Sequence, residues 1–157
     1  MNTNNQMSPQ GIEFLKRLEG CSLTAYWDHK GYSIGYGHQD PSIKKGDKIT
    51  LEQADQYLKE DLQEFCNALN SYALPLNTHQ YDALICFIYN IGSSGFRTST
   101  LLKELKDNVN SLPKLEYQWK RWKYAKDKDG VSVVNPGLED RRNKEWRLYA
   151  NNDYDLS

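Results

Sequence analysis

The sequence predicts an α+β fold, in which a mainly helical lobe carries a small β-hairpin lobe near the N-terminus. Three observations predict it. Apolar residues recur at helical spacing over most of the chain. Residues 21–50 instead mix recurrent glycines with aromatic and β-branched residues, which is typical of short strands and turns. The stretch 83–89 is apolar on nearly every side, which predicts a buried central helix.

Capping residues mark the boundaries of the first three predicted helices. In each, a polar N-cap residue precedes the apolar pattern, and a proline or glycine follows it. Two of the three starts have the spacing of a capping box. The boundary residues are Ser8, Pro9 and Gly20 for the first helix, Thr50, Gln53 and Pro75 for the second, and Asn77, Gln80 and Gly92 for the third. The residues of the second helix that are expected to face the core are Leu51, Ala54, Leu58, Leu62, Phe65 and Leu69.

Three further helices are predicted in the second half of the chain. They run from Thr98 to about Asp107, from Ser111 to about Lys126, and from Asn135 through Tyr149. A turn is predicted at Asp127–Gly130, and the polar tail after residue 150 is expected to fray.

The length of 157 residues fits one compact domain, or two small lobes that share a core. We expect a single domain over 1–157, with the β-rich lobe at about 21–50 and the helical lobe at about 8–20 and 51–150. A net charge of −1 favours neither nucleic acid nor an anionic membrane as a partner. Three widely spaced cysteines argue against a disulfide framework or a zinc site.

The N-terminal segment Met1–Met7 is polar and uncharged, without the basic and then apolar regions of a secretory signal. No stretch reaches the roughly 18 apolar residues that a transmembrane helix needs. The sequence therefore predicts that the protein is made and first folds in a cytoplasm.

Two carboxylates fall in unlike settings within one short segment. Glu19 lies where the first helix ends, and the negative end of the helix dipole disfavours an ionised carboxylate there. Asp28 lies in a predicted hairpin next to His29 and Lys30, where it should stay ionised. Ser33, on the returning strand, could hold a water against Asp28. Cleaving a glycosidic bond needs two carboxyl groups in different protonation states, although each residue alone is as typical of an ordinary helix end, turn or strand.

The order of these residues resembles the phage lysozymes, the endolysins of T-even and lambdoid phages in glycoside hydrolase family 24. Glu19-Gly20, Leu23–Asp28 and Gly31–His38 match the family's Glu-Gly, Leu-x-Ala-Tyr-x-Asp and Gly-x-x-Thr-Ile-Gly-Tyr-Gly-His. The resemblance covers nearly the whole chain. Further matching segments are Asn90–Gly92 with Phe96–Leu102, Arg121-Trp122, and Pro136–Glu145.

The resemblance implies a lysozyme-like fold, with a cleft between the β lobe and the helical lobe. It implies a muramidase that cleaves the β-1,4 bond between N-acetylmuramic acid and N-acetylglucosamine with inversion, which needs carboxyl groups about 6.5–9.5 Å apart. Glu19 would be the general acid, Asp28 would activate water, and Ser33 would take the place of the family's threonine. No metal or organic cofactor is implied, the protein is expected to be a monomer, and a phage holin is the implied partner for export. A lytic transglycosylase and a non-catalytic wall-binding protein are the alternatives.

Ser33 departs from the family pattern in two ways. Serine keeps the hydroxyl of threonine and loses the methyl group that fixes its rotamer. The interval from Gly31 to this hydroxyl is also one residue shorter, and a one-residue change in a strand reverses the face on which a side chain lies. The turn must therefore absorb the deletion.

Four further residues are predicted to bind substrate, namely Tyr26, Tyr36, Asn90 and Arg121. Asn90 is equally a candidate helix C-cap before Gly92, and Arg121, which could meet an acidic group of a wall peptide, could instead be a solvated arginine passing Trp119. The resemblance also implies that His38 pairs with an acid on the long helix, for which Asp61 is the candidate.

The run Tyr117–Tyr124 mixes basic and aromatic residues, as single-strand nucleic-acid binders do. Because Leu115, Trp119 and Trp122 share helical spacing, packing in the core is the stronger interpretation.

Overall fold

Seven helices and five strands follow one another along residues 5–157, the part of the chain that this computed structural model describes. Residues 1–4, where the segment predicted to lack a secretory signal begins, lie outside the described residues. The predicted α+β class is confirmed. In chain order the elements are α1 (Pro9–Glu19), β1 (Ser22–Asp28), β2 (Gly31–Gly35), β3 (His38–Gln39), α2 (Leu51–Asn70), α3 (Thr78–Ile91), α4 (Ser93–Arg97), α5 (Thr100–Asp107), α6 (Leu112–Lys120), β4 (Tyr124–Lys126), β5 (Ser132–Val134) and α7 (Pro136–Asn151).

The capping residues act as the sequence predicts. The backbone N–H of Gly11 donates to the Ser8 hydroxyl at 2.9 Å, which caps α1. Both predicted capping boxes form, at Thr50 for α2 and at Asn77 for α3. Gly20 ends α1 with a φ of 69°, a conformation that costs glycine little. Glu19, the last residue of α1, therefore lies just before the start of the β lobe.

The strands β1, β2 and β3 form an antiparallel sheet in that order. Tyr26 pairs with Ser33, and Ser33 pairs with Gln39, so these three residues form one row across the sheet. Paired residues in an antiparallel sheet share a face, and Asp28 lies two residues from Tyr26 on that same face. A tight turn at His29, whose φ is 52°, joins β1 to β2 and leaves Ser33 opposite Tyr26.

The helix α3 lies at the centre of the core, as its apolar sequence predicts. Residues Ala83–Ile88 are all 0% exposed, and α1, α2 and α7 pack against the helix. Leu115 and Trp119 of α6 are also fully buried, which confirms the packing interpretation for that helix. None of the helices within 5–157 combines the length and the apolar character needed to cross a membrane.

Two predicted helix boundaries are wrong, one short helix was not predicted, and one side chain points outward instead of inward. The helix α6 ends at Lys120 instead of about Lys126, because the following residues form the hairpin β4–β5 around the predicted turn. Valines in β5 favour a strand there. The short helix α4 was not predicted, and α5 begins at Thr100, capped by Ser99, instead of at Thr98. Leu51, expected to point inward, is 55% exposed in the first turn of α2.

The C-terminal tail is docked, contrary to the expectation that it frays. The hydroxyl of Tyr154 donates to Oδ2 of buried Asp82 at 2.7 Å. The Tyr154 ring meets Phe14 edge-on with 6.1 Å between centroids. One aromatic residue with a polar tip thus anchors an otherwise polar segment.

Candidate active site

Glu19, the last residue of α1, lies where the helical lobe meets the β lobe. Its side chain is 17% exposed, so the site removes it from most of the solvent. Gly37, in the turn between β2 and β3, approaches it closely: a Cβ atom on Gly37 would lie 3.4 Å from Oε1 of Glu19. The same Cβ would lie 3.7 Å from the hydroxyl of Tyr89. These are ordinary van der Waals distances, and it is the φ of 94° at Gly37 that favours glycine at this point of the β lobe, beside the carboxyl group.

A cation that was not among the predicted site residues faces Glu19. Arg141 of α7 donates from Nη1 to Oε2 of Glu19. Its Nη2 donates to the carbonyl of Cys86 at 2.9 Å, and its Nε donates to Glu145 at 2.9 Å. Although burial opposes its charge, the carboxylates of Glu145 and Glu19 raise the pKa of Arg141. The sequence predicted that Glu19 lies at a helix end, near backbone carbonyl groups and little water. The structure adds a fixed guanidinium to these surroundings.

Asp28 lies at the end of β1 and takes part in a polar cluster with Ser33 and Gln39. The Ser33 hydroxyl lies 3.4 Å from Oδ2 of Asp28, a long hydrogen bond. The amide nitrogen of Gln39 lies 3.4 Å from the same Oδ2 and donates to the Ser33 hydroxyl at 3.2 Å. Gln39 was not predicted from the sequence, although its place directly after the Gly-Tyr-Gly-His segment puts it opposite Ser33.

The phenol of Tyr26 is influenced by the charges of both carboxylates. Burial raises the pKa of the Tyr26 phenol, the negative charges of Asp28 and then Glu19 raise it further, and a hydrogen bond with Ser33 opposes them. The same phenol therefore lies within electrostatic reach of both acids. Tyr26 is 40% exposed, which leaves part of its ring open to a ligand.

The other predicted tyrosine has different surroundings. The Tyr36 ring is 9% exposed and belongs to the hydrophobic core, with the ammonium of Lys16 lying 5.5 Å from its centroid. Its carbonyl accepts a hydrogen bond from Tyr89 at 2.8 Å. Burial raises the pKa of Tyr89, and the charge of Glu19 adds to this effect. The Tyr36 ring therefore packs in the core, where it presents little surface to a ligand.

Asn90 is an exposed residue near the end of α3, and its amide oxygen accepts a hydrogen bond from Arg142. The helix is capped by Gly92, whose N–H donates to the Ile88 carbonyl at 2.7 Å, so the C-cap is not Asn90. Arg142 itself is 1% exposed. The amide is therefore held by a buried cation.

Arg121 follows α6 and is exposed, and its guanidinium contacts Tyr117 and Gln118. Its guanidinium lies 5.9 Å from the centroid of the Tyr117 ring. It borders a groove of about 430 Å³ together with Lys123 and Tyr124. This groove is formed by α6 and the start of β4, apart from the carboxylate cluster described above.

His38 pairs with Asp61, as the resemblance implied. Nδ1 of His38 lies 2.9 Å from Oδ2 of Asp61 on α2, and its ring stacks on Tyr57 with 4.3 Å between centroids. These contacts tie β3 to the long helix. Within the described chain, 5–157, no three His, Cys, Asp or Glu side chains are arranged to hold a metal ion.

Comparisons with known proteins agree on one family. The family model "Phage lysozyme" matches residues 16–145. The endolysin of Acyrthosiphon pisum secondary endosymbiont phage 1 is 39% identical over 145 residues, covering 91% of this chain and 97% of the relative. Among solved structures, the endolysin from Escherichia coli O157:H7 phage FAHEc1 has a TM-score of 0.85 and 33% identity, with 99% of each chain covered. The muramidase domain of SpmX from Asticaccaulis excentricus has a TM-score of 0.83 and 32% identity, covering 92% of this chain and 97% of that one.

Proposed function

This chain belongs to the phage lysozyme family, and we propose that it acts as an N-acetylmuramidase of the endolysin type, in a single catalytic domain. It hydrolyses the β-1,4 bond between N-acetylmuramic acid and N-acetylglucosamine in bacterial peptidoglycan. The observation that carries this proposal is that Glu19 lies against Gly37, in the turn of the same small sheet that carries Asp28, Ser33 and Gln39. The helical lobe and the β lobe thus each contribute one carboxyl group, and glycoside hydrolysis requires such a pair.

In the proposed mechanism, Glu19 is the general acid that protonates the leaving oxygen. When the proton has left, negative charge remains on Glu19, and the guanidinium of Arg141 is in place to stabilise it. The assignment of the acid to Glu19 follows the resemblance of Glu19-Gly20 to the family's Glu-Gly, because a guanidinium by itself favours the charged form of a carboxyl group. Because Arg141 is fixed by two other partners, it needs no rearrangement during the reaction.

Asp28 is the proposed base, and Ser33 and Gln39 are proposed to hold its carboxylate in place for the attacking water. Ser33 is fully buried, and its hydroxyl donates to Asp28 at 3.4 Å and accepts from Gln39 at 3.2 Å. Attack from the face opposite the leaving group inverts the anomeric carbon, which predicts carboxyl groups about 6.5–9.5 Å apart. Ser33 takes the place of the family's threonine in this proposal, because serine keeps the hydroxyl that contacts Asp28.

Tyr26 and Asn90 are the proposed contacts to the sugar. An exposed aromatic ring covers an apolar sugar face, and an amide can donate to and accept from an acetamido group. Arg121 is proposed to meet an acidic group of a wall peptide from its groove. Tyr36 supports this surface from within the core.

The proposed cellular route follows from the proposed substrate. The enzyme is made in a cytoplasm, acts as a monomer and reaches the wall through a membrane lesion that a holin provides. Peptidoglycan then meets it outside the membrane.

Digestion of purified peptidoglycan tests the proposed activity. We expect the wild type and the Glu13→Gln control, which alters an exposed acid on the same helix, to clear the suspension. Glu19→Gln and Asp28→Asn should be inactive. Mass spectrometry should find reducing N-acetylmuramic acid ends, and NMR should find the inverted anomer first. Anhydro ends would instead identify a lytic transglycosylase, and binding without products would identify a wall-binding protein.

A further inference from the structure

One buried carboxylate on α7 has no place in the proposed chemistry. Glu145 is 0% exposed, and both of its oxygens have partners. Oε2 accepts from Nε of Arg141 at 2.9 Å. Oε1 accepts from the indole nitrogen of Trp119 at 3.1 Å and lies 3.0 Å from Nε of Arg142. The carboxylate is therefore held by two arginines and a fully buried tryptophan.

The two arginines reach outward from Glu145 toward the site. Arg141 ends on Glu19, and Arg142 ends on Asn90. The hydrogen bond from Nε of Arg141 to Glu145 fixes the plane in which the terminal nitrogens of Arg141 lie. The Nε atom of Arg142 lies 3.0 Å from Glu145 as an ion pair, without the geometry of a hydrogen bond. The spacing of three and four residues on one helix places both arginines on the same side of α7 as Glu145.

Glu145 also compensates the positive charges of Arg141 and Arg142. Without it, two buried guanidinium groups would face Glu19 as their remaining anion, and an uncompensated buried charge is strongly unfavourable. Arg141 would then be free to centre on Glu19 instead of being shared with a second carboxylate. The position of Arg141 relative to the proposed acid depends on this second anion.

We propose that Glu145 is a positioning residue, which sets the alignment of Glu19 through its hydrogen bond with Arg141 and balances the charge of Arg142, the partner of Asn90. The inference rests on the proposed function, because alignment matters only if Glu19 donates a proton. Glu145 acts from behind the site and does not touch the substrate.

Two substitutions separate positioning from charge balance. Glu145→Asp keeps the negative charge and shortens the side chain by one methylene group, so the carboxylate no longer spans both arginines. Glu145→Gln keeps the length and removes the charge. Asp140→Asn is the control on α7, since Asp140 is exposed and pairs only at the surface with Lys144, at 2.7 Å.

Steady-state kinetics on soluble glycan strands prepared from peptidoglycan provide the measurement, at a temperature where circular dichroism shows the variants folded. We expect Glu145→Asp to lower kcat about tenfold or more, because small displacements of catalytic groups are costly. KM should change much less, and Asp140→Asn should behave as the wild type.

A wild-type kcat in Glu145→Asp would overturn the inference, because charge alone would then suffice. Loss of folding in both Glu145 variants would also overturn it and leave a structural role only. A wild type that releases no products would contradict the proposed function itself, which distinguishes the two failures.

Discussion

Gly37 lies directly against Glu19, so closely that a Cβ atom at position 37 would be 3.4 Å from the carboxyl oxygen Oε1. The backbone at Gly37 has a φ of 94°, which disfavours any other residue. Gly46 has a similar φ of 88°, but a Cβ there would meet no atom within 4 Å. The two glycines thus share a backbone requirement and differ in their contact with the site.

We predict that Gly37→Ala and Gly46→Ala each lower the free energy of unfolding by about 1–2 kcal/mol, from the backbone penalty. Only Gly37→Ala should also lower kcat, by about tenfold or more, because the backbone shift that relieves its strained φ would occur beside Glu19. Urea unfolding and peptidoglycan kinetics check this pair. Equal activity of the two variants would contradict the role assigned to the contact.

Arg141→Lys should lower kcat about 10- to 100-fold with the fold retained. Lysine carries the charge but lacks the planar group that contacts Glu19, Glu145 and the Cys86 carbonyl together. Arg147→Lys, at a half-exposed position on the same helix, is the matched control. If lysine at 141 supported wild-type turnover, the geometry of the guanidinium would not matter.

Ser33→Ala should lower kcat about tenfold or more, because Asp28 and Gln39 both lose the hydroxyl between them. Ser33→Thr should retain most of the activity, since it restores the residue that the family has there. Initial rates on peptidoglycan and the melting temperature of each variant are the measurements. Activity of the alanine variant equal to that of the threonine variant would refute a role for the hydroxyl.

Tyr154→Phe should lower the free energy of unfolding by about 1–2 kcal/mol, because a buried carboxylate loses a hydrogen-bond donor. The contact of the ring with Phe14 remains. Tyr117→Phe, at a position that is 68% exposed, should change the stability by less than about 0.5 kcal/mol. Thermal or urea unfolding of the two variants checks whether the docked tail contributes to stability.

Asp82 predicts a pH dependence of stability. Burial raises the pKa of Asp82 above 3.8, although hydrogen bonds from Ser8 and Tyr154 oppose the shift. The folded state therefore binds this proton more tightly than the unfolded state, and the contribution of Asp82 to stability decreases as the pH rises through its raised pKa. The stability of the wild type relative to Asp82→Asn, measured as the free energy of unfolding, should thus decrease from pH 4 to pH 7. An increase over the same range would contradict this prediction.

Local signals in the sequence were sufficient for most of the fold. Capping residues placed the starts of α1, α2, α3 and α7, since a cap depends on residues within one turn. The β4–β5 hairpin was missed because Trp119 and Trp122 continue the helical spacing to the point where the strand begins. The docked tail was missed because its partner, Asp82, is 72 residues away.

In the candidate site, too, some residues were predictable from the sequence and others only from the tertiary structure. By itself the sequence determined the order of Glu19, Asp28 and Ser33 and the family that this order identifies, because one short segment contains them all. Only the tertiary structure decided that Arg141 faces Glu19, that Tyr36 is buried while Tyr26 is exposed, and that Gln39 completes the cluster at Asp28. These relationships join residues from separate helices and strands, and no local propensity specifies which distant side chain will fill a given space. The packing of α7 and the register of the sheet specify it.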